Sequence, residues 1–212
     1  MSGLLTWNFE LAARASGARL IAGIDEAGRG CLAGPVVAGA CVFLAHEHWP
    51  AGLNDSKQLS RAQRQRLYAA LTVSGELRWS VGVATAAEID RVNILQATFL
   101  AMRRALDGLA LTVDLALVDG SQAPPLPVST RMIVKGDSRS PSIAAASILA
   151  KETRDRMLER TEQEFPGYGF AKHKGYGTAS HLAALARLGP CQIHRRSFAP
   201  VRQCVGPAGR VA

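Results

Sequence analysis

Three short apolar runs along the chain each close on acid: residues 20–26 (LIAGIDE) on Asp25 and Glu26, residues 115–120 (LALVDG) on Asp119, and residues 131–137 (RMIVKGD) on Asp137. An ionised carboxylate beside a core is costly unless it is paired. One such run is explained by a solvent-exposed turn acid; three in one chain point to a shared cation at one edge of a sheet. Neighbours on a strand point to opposite faces, so Asp25 and Glu26 reach one site only if the strand ends between them. Gly28 and Gly30 would supply that break, having no Cβ to restrict the turn. Oxygen ligands without His or Cys nearby favour Mg²⁺ or Mn²⁺ over zinc. Two such ions suit an in-line displacement at phosphorus, one activating water and the other steadying the leaving oxygen.

A nucleotide cradle is the competing use of the glycines. Residues 28–34 (GRGCLAG) read GxGxxxG, one residue off the dinucleotide fingerprint, and a strand rather than a helix is expected after them. The two acids just before would repel a pyrophosphate, and no G-x-x-x-x-G-K-[ST] occurs. The cofactor reading is rejected.

The elements that would carry these acids alternate. Residues 20–26 and the β-branched, small-residue stretch 34–45 (GPVVAGACVFLA) read as buried strands, and 77–86 (LRWSVGVATA) as a third. Residues 49–60 are turn-rich; a helix is expected from Ser60, where Ser-x-x-Gln resembles a capping box. Apolar residues at helical spacing follow Asn93. The runs at 115–120 and 131–137 flank a loop with Pro124, Pro125 and Pro127. Residues 140–165 predict a long helix capped by Ser140 or Ser142, with Pro166 just beyond it. Residues 173–189 (HKGYGTASHLAALARLG) predict a loop and a last helix, and the tail from His194 reads as basic and irregular. The first two strands are too close in sequence for a parallel crossover, so an α/β fold with a mixed sheet is expected.

Bulk properties agree with a polyanionic substrate. The 212 residues fit one domain over 1–212, at 48% hydrophobic and 20% charged. A formal charge of +8 favours nucleic acid or an anionic membrane face. The runs fall short of the ~20 apolar residues a membrane helix needs, and the N-terminal stretch carries Glu10 where a signal peptide would be apolar. Cys31, Cys41, Cys191 and Cys204 form no CxxC pair, which speaks against a zinc ribbon or a disulfide scaffold and for reduced thiols. A cytoplasmic monomer is expected.

The motifs GIDEAGRGCLAGPVVAGA, DSKQLS, LVDG, KGD, SIAAASILAKETRD, HKGYGT and HRRSF, in this order and spacing, resemble bacterial ribonuclease HII from about Leu20 to Val201. The resemblance implies a ribonuclease H-like fold, a mixed five-stranded sheet flanked by helices, with a helical C-terminal part over about 165–201. It places the family's metal ligands on Asp25, Glu26, Asp119 and Asp137, with Asp25 bridging both ions. It places the element that grips the backbone and senses the 2′-hydroxyl on Gly28, Arg29 and Gly30. The tyrosine stacking near the RNA–DNA junction falls on Tyr176, and Ser56 and Lys57 fall near the phosphates. Gln58 departs from the pattern where Lys is common. The implied activity is hydrolysis of the RNA strand of RNA–DNA hybrids and nicking at single ribonucleotides in duplex DNA, leaving 5′-phosphate and 3′-hydroxyl ends. The related ribonuclease HIII carries an extra N-terminal domain for which this chain has no room.

Chemistry supports those types. Main-chain N–H groups at glycines approach a sugar closely, and the 2′-OH is what separates RNA from DNA; arginine and lysine hold phosphates. His173 with Lys172 and Lys174, and His194-Arg195-Arg196, read as phosphate-facing patches, while Lys151, Arg154 and Arg156 receive no assignment and Ser142 and Ser147 read as structural. Two rivals stand beside this reading. A junction resolvase or strand-transfer enzyme of the same broad fold would not need the GRG element and the tyrosine. A non-catalytic nucleic-acid-binding module would not need four acids, which oppose phosphate binding.

Overall fold

The computed structural model describes residues 5–45 and 48–205; the tail beyond, whose order the sequence leaves open, lies outside the described residues. In chain order the elements are α1 (Asn8–Ala15), β1 (Ile21–Ala27), β2 (Val36–Phe43), α2 (Arg61–Val73), β3 (Leu77–Ala84), α3 (Ala86–Asp107), β4 (Leu115–Asp119) and β5 (Ser129–Ile133). A one-turn 3-10 helix at Gly136–Ser138, α4 (Pro141–Glu164), α5 (Phe170–His173), α6 (Ala179–Leu188) and α7 (Ala199–Val205) follow. The five strands form one sheet ordered β3-β2-β1-β4-β5. β1 runs antiparallel to β2 and β2 to β3, while β4 and β5 lie parallel to β1. The mixed five-stranded sheet is as expected.

Strand alternation assigns the two faces. Ala22 and Ile24 of β1 pack with Ala97, Ala101 and Ala105 of α3, whereas Ile21 packs with Ile143 of α4 on the other side. Small residues let α4 lie almost on the sheet: a Cβ at Gly23 would run into Ser142, and one at Gly39 into the Ala146 carbonyl. Asp25 lies opposite Gly39 and two residues beyond Gly23, so it shares their α4 face and is 4% exposed beneath the helix.

Local chemistry sets the element ends. Ser60 and Gln63 close the expected capping box at α2. The third strand stops at Ala84, short of the expected 86, because Thr85 and Glu88 form a second capping box and start α3 there. Asn93 is a cap inside that helix: at φ 70° and ψ 166° it breaks the helix, and its Oδ1 accepts the Leu95 and Gln96 amides. β5 ends at Ile133, not at Asp137, since Lys135 adopts a left-handed conformation (φ 56°) that extended pairing does not allow. Ser140, rather than Ser142, caps α4. The stretch expected to be an irregular tail holds α7, so α6 is not the last helix. All four cysteines are free, and among the described residues no helix is long and apolar enough to cross a membrane.

Candidate metal centre and substrate-binding loops

Asp25 from β1, Asp119 from the end of β4 and Asp137 from the 3-10 turn each offer a carboxylate oxygen within 4.8 Å of the others. Asp25 and Asp137 are buried and Asp119 is half-buried. Asp119 also organises its neighbour, since its Oδ1 accepts the Gly136 amide at 2.7 Å and so ties the Asp137 turn to β4. Glu26 is placed differently. β1 continues through Ala27, so the strand does not end between the two acids, and Glu26 faces the α3 side. There it receives Arg29 Nη1 at 3.3 Å and shares a cavity of about 150 Å³ with Asp119.

Like charges this close repel. Two unit charges about 5 Å apart at an effective dielectric of about 20 interact by roughly 3 kcal/mol, and the trio has three such pairs. Burial first, then the charges of Glu26 and Asp119, hold the Asp25 carboxyl well above the usual carboxylate range. Burial also raises Glu26, against the opposing charge of Arg29. Asp119 is raised by burial and by Asp137, with the Gly136 amide pulling the other way. Lys57 partly compensates, its Nζ lying 2.8 Å from Asp137 Oδ2. Burial of the ammonium works against its charge, but the hydrogen bond to Asp137 and the Asp25 carboxylate prevail, and its pKa shifts upward. One lysine cannot balance three to four acids. A donor set of oxygens alone, crowded and short of positive charge, fits a hard divalent cation.

Buried arginines hold the loops around this cage. In the 28–35 loop, Gly28 (φ 96°) is buried with the Arg154 guanidinium where a Cβ would stand, while Arg29 and Gly30 are exposed. Arg154, fully buried on α4, donates to the carbonyls of Ala33, Pro35 and Lys174. Arg195, also fully buried, donates to the carbonyls of Gly28, Arg29 and Gly34. Burial, then the charge of Arg154, brings the Arg195 pKa down to about 10. The 54–59 loop is held likewise: Arg64 pairs with buried Glu152 at 3.0 Å and donates to the carbonyls of Ser56 and Leu59, while the Ser56 amide donates to Ser147 Oγ. Ser56 is buried, and Lys57 is exposed, with its Nζ paired to Asp137.

Residues 173–176 divide in two. Tyr176 is 45% exposed, with Lys151 Nζ 5.7 Å from its ring centroid. His173 and Lys174, read from the sequence as phosphate-facing, are buried and turn inward. Lys174 Nζ donates to Glu159 at 2.9 Å and to the Ala171 carbonyl. The His173 ring stacks on His181 with centroids 4.3 Å apart. The hydrogen bonds of His181 and His194 fix one tautomer each. His181 Nδ1 donates to the Tyr176 carbonyl (2.8 Å), so its Nε2 accepts from His194 Nε2 (3.1 Å), and His194 Nδ1 accepts the Cys191 amide (3.0 Å). Burial, then the neighbouring His181, lowers the His194 pKa to about 4. This neutral chain braces the backbone of Tyr176.

A family profile described as Ribonuclease HII matches residues 22–201. The chain belongs to the ribonuclease HII family. Curated ribonuclease HII proteins from Rhodospirillum rubrum (57% identical, 91% of this chain and 89% of that one) and Geobacter metallireducens (53%, 95% and 93%) are similar along nearly their whole length. The crystal structure of ribonuclease H2 from Pyrococcus horikoshii superposes with a TM-score of 0.71 at 28% identity, over 87% of this chain and 96% of that one. This ribonuclease HII family member is an endonuclease that cleaves the RNA strand of RNA–DNA hybrids.

Within that family framework, the sequence reading missed Arg154 and Arg195 as organisers of the GRG loop. Arg195 sat in a motif read as phosphate-facing and is instead 0% exposed. The available signal was composition: Arg154 follows the small-residue run 143–150, where a long helix packs hard on the sheet and leaves its next inward position without solvent. Apart from the Lys174 carbonyl, 20 residues on from Arg154, the carbonyls that receive these arginines are more than 100 residues away, and no local pattern reveals them.

Proposed function

We propose that Asp25, Glu26, Asp119 and Asp137 form one divalent-metal cage and that the exposed Arg29, Gly30 and Tyr176 beside it select a ribonucleotide, both within hybrids and singly in duplex DNA. The observation that carries this reading is the meeting of three carboxylates from distant parts of the chain within 4.8 Å, with no His or Cys among them. Mg²⁺ or Mn²⁺ held by these residues would supply an activated water and a positive charge for the leaving oxygen, and 5′-phosphate and 3′-hydroxyl ends would be expected.

The chain's own groups do the rest. Asp25, pushed toward protonation by burial and by its acidic neighbours, gains from a cation. Glu26 joins from the opposite face of β1 through the cavity it shares with Asp119. Arg29 is tethered to Glu26, so the residue that touches the substrate backbone reports directly on the cage. Gly28 gives the turn its left-handed conformation, Gly30 leaves open space for a sugar, and the Tyr176 ring packs on the neighbouring sugar or base. Lys57, its tip at Asp137, would lie within reach of a substrate phosphate, and Ser56 keeps that loop seated on α4. His173 and Lys174 support the Tyr176 turn from within. One sheet with its two helix layers carries the whole site, in keeping with one catalytic domain, and the proposed reading keeps it a cytoplasmic monomer.

Cleavage of a DNA duplex carrying one ribonucleotide tests the proposal, with Mg²⁺, with Mn²⁺ and with EDTA, beside an all-DNA duplex. Cutting is expected at the ribonucleotide only, with metal only. Asp25→Asn should abolish cleavage and spare most binding. Cutting of the all-DNA duplex would indicate a resolvase-type enzyme, and binding without any cutting a non-catalytic module.

A further inference from the structure

We infer that Glu10 is a positioning residue for the metal cage, its buried carboxylate fixing the turn that presents Asp137; the inference rests on the assignment of Asp137 as a metal ligand proposed above. Glu10 lies on α1, outside the span matched by the family profile. It is 0% exposed. Its Oε1 accepts from Ser140 Oγ (2.6 Å), Ser142 Oγ (2.5 Å) and the Ser142 amide (3.3 Å). Ser140 Oγ in turn accepts the Ile143 amide as the α4 cap. Glu10 therefore sets which way the cap hydroxyl points as well as where it sits, and its charge suits the positive end of a 24-residue helix.

What this does for Asp137 follows from the turn. The Ser140 amide donates to the Gly136 carbonyl at 2.8 Å and closes the segment into a small loop. At one end Asp119 holds the Gly136 amide; at the other Glu10 holds Ser140 and Ser142. Asp137 is thus suspended between two carboxylate anchors, one inside the cage and one outside it. Two more contacts from α1 and its lead-in reach the same segment. The Thr6 amide donates to the Arg139 carbonyl at 3.3 Å, and the Arg139 guanidinium lies 4.8 Å from the Phe9 ring centroid. Packing alone does not account for a carboxylate here. Glu10 Oε2 is buried with no hydrogen-bond partner among the described residues, a standing penalty that an apolar residue would not carry.

The test measures Mn²⁺ affinity of the substrate-free protein by calorimetry, comparing the parent with Glu10→Ala, Glu10→Gln, Asp137→Asn and a destabilised control. The control is Leu106→Ala, buried on the far end of α3. Glu10→Ala should weaken Mn²⁺ binding about tenfold, the order seen when an outer support of a metal ligand is removed. Glu10→Gln, which keeps an acceptor oxygen and loses the charge, should fall between it and the parent, and serves if the alanine variant does not fold. Leu106→Ala should bind like the parent. Turnover of Glu10→Gln should recover as Mn²⁺ is raised, with an unchanged KM for hybrid. Parent-like affinity in both Glu10 variants, with Asp137→Asn weakened, would overturn the inference alone. Equal losses in Leu106→Ala and Glu10→Ala would also overturn it, because the effect would then follow global stability. A parent that binds no Mn²⁺, or an Asp137→Asn protein that binds it normally, would overturn the cage assignment itself.

Discussion

Arg195 Nη2 donates to the Gly28 carbonyl at 2.7 Å, joining a residue near the end of the chain to the loop that follows the first strand. The same guanidinium takes the carbonyls of Arg29 and Gly34, a three-way grip that only a planar fork of donors can make. Arg195→Lys keeps the charge and loses the fork. It should destabilise the protein by about 2–4 kcal/mol, because buried carbonyls are left unpaired, and raise the KM for hybrid by more than it lowers kcat. Urea unfolding and steady-state kinetics check both. A stable variant with parent KM would mean the 28–34 loop holds its shape without this residue.

The two glycines of the GRG element should respond oppositely to the same change. At Gly28 a Cβ would run into the Arg154 guanidinium, and its φ of 96° is strained for any side chain; at Gly30 a Cβ meets nothing within 4 Å. Gly28→Ala should lose more than about 2 kcal/mol of stability, while Gly30→Ala should unfold at the parent urea midpoint. Any loss of hybrid affinity in Gly30→Ala then reports direct contact with substrate. Equal midpoints for the two variants would contradict the packing described here.

Protons and metal compete for the same oxygens. The raised pKa values of Asp25, Glu26 and Asp119 mean these groups stay protonated to higher pH than ordinary carboxylates. At fixed Mn²⁺ the rate should fall on acidification within a range above that of free carboxylates, and a tenfold increase in Mn²⁺ should move the fall to lower pH. In the metal-free protein the sign is the reverse for stability. The native state holds these protons more tightly than the unfolded chain, so the contribution is full at low pH and lost as pH rises through the native values. A rate profile flat down to pH 5, or one insensitive to Mn²⁺, would argue against a shared cage.

His194 pulls stability the other way. Its native pKa of about 4 lies below the ordinary 6.5, so the native state keeps it neutral. That contribution is complete above pH 6.5 and is lost as pH falls toward 4, up to about 3 kcal/mol in all. A charged His194 would also disturb the tautomers that brace Tyr176. His194→Gln should flatten the decline in urea midpoint between pH 7 and 4.5. An unchanged slope would place the acid sensitivity elsewhere.

Much of the candidate site's layout was readable because its signals are local. An apolar run that stops on an acid places Asp119 at the end of β4 and Asp25 two residues short of the end of β1, and Ser60 with Gln63 announces a helix within four residues. The failures were non-local or conformational. No residue type foretold the left-handed Lys135 that ends β5 early and lifts Asp137 into its own turn. The expected break between Asp25 and Glu26 did not occur, because β2 pairs with β1 out to Ala27 and holds the strand straight. Burial of Arg154, Arg195, His173 and Glu10 depends on partners that lie far away in sequence or just beyond a turn, where charge alone suggests solvent.

The long helix α4 has a consequence for how this chain can vary in length. Ser142 meets Glu10 near its start, Ser147 takes the Ser56 amide, Glu152 holds Arg64, and Arg154 seats the carbonyls behind the GRG loop. Each added residue turns a helix by about 100° and advances it about 1.5 Å, so the interval from Asp137 to Arg154 acts as a gauge. One residue gained or dropped there would swing every later anchor out of register at once.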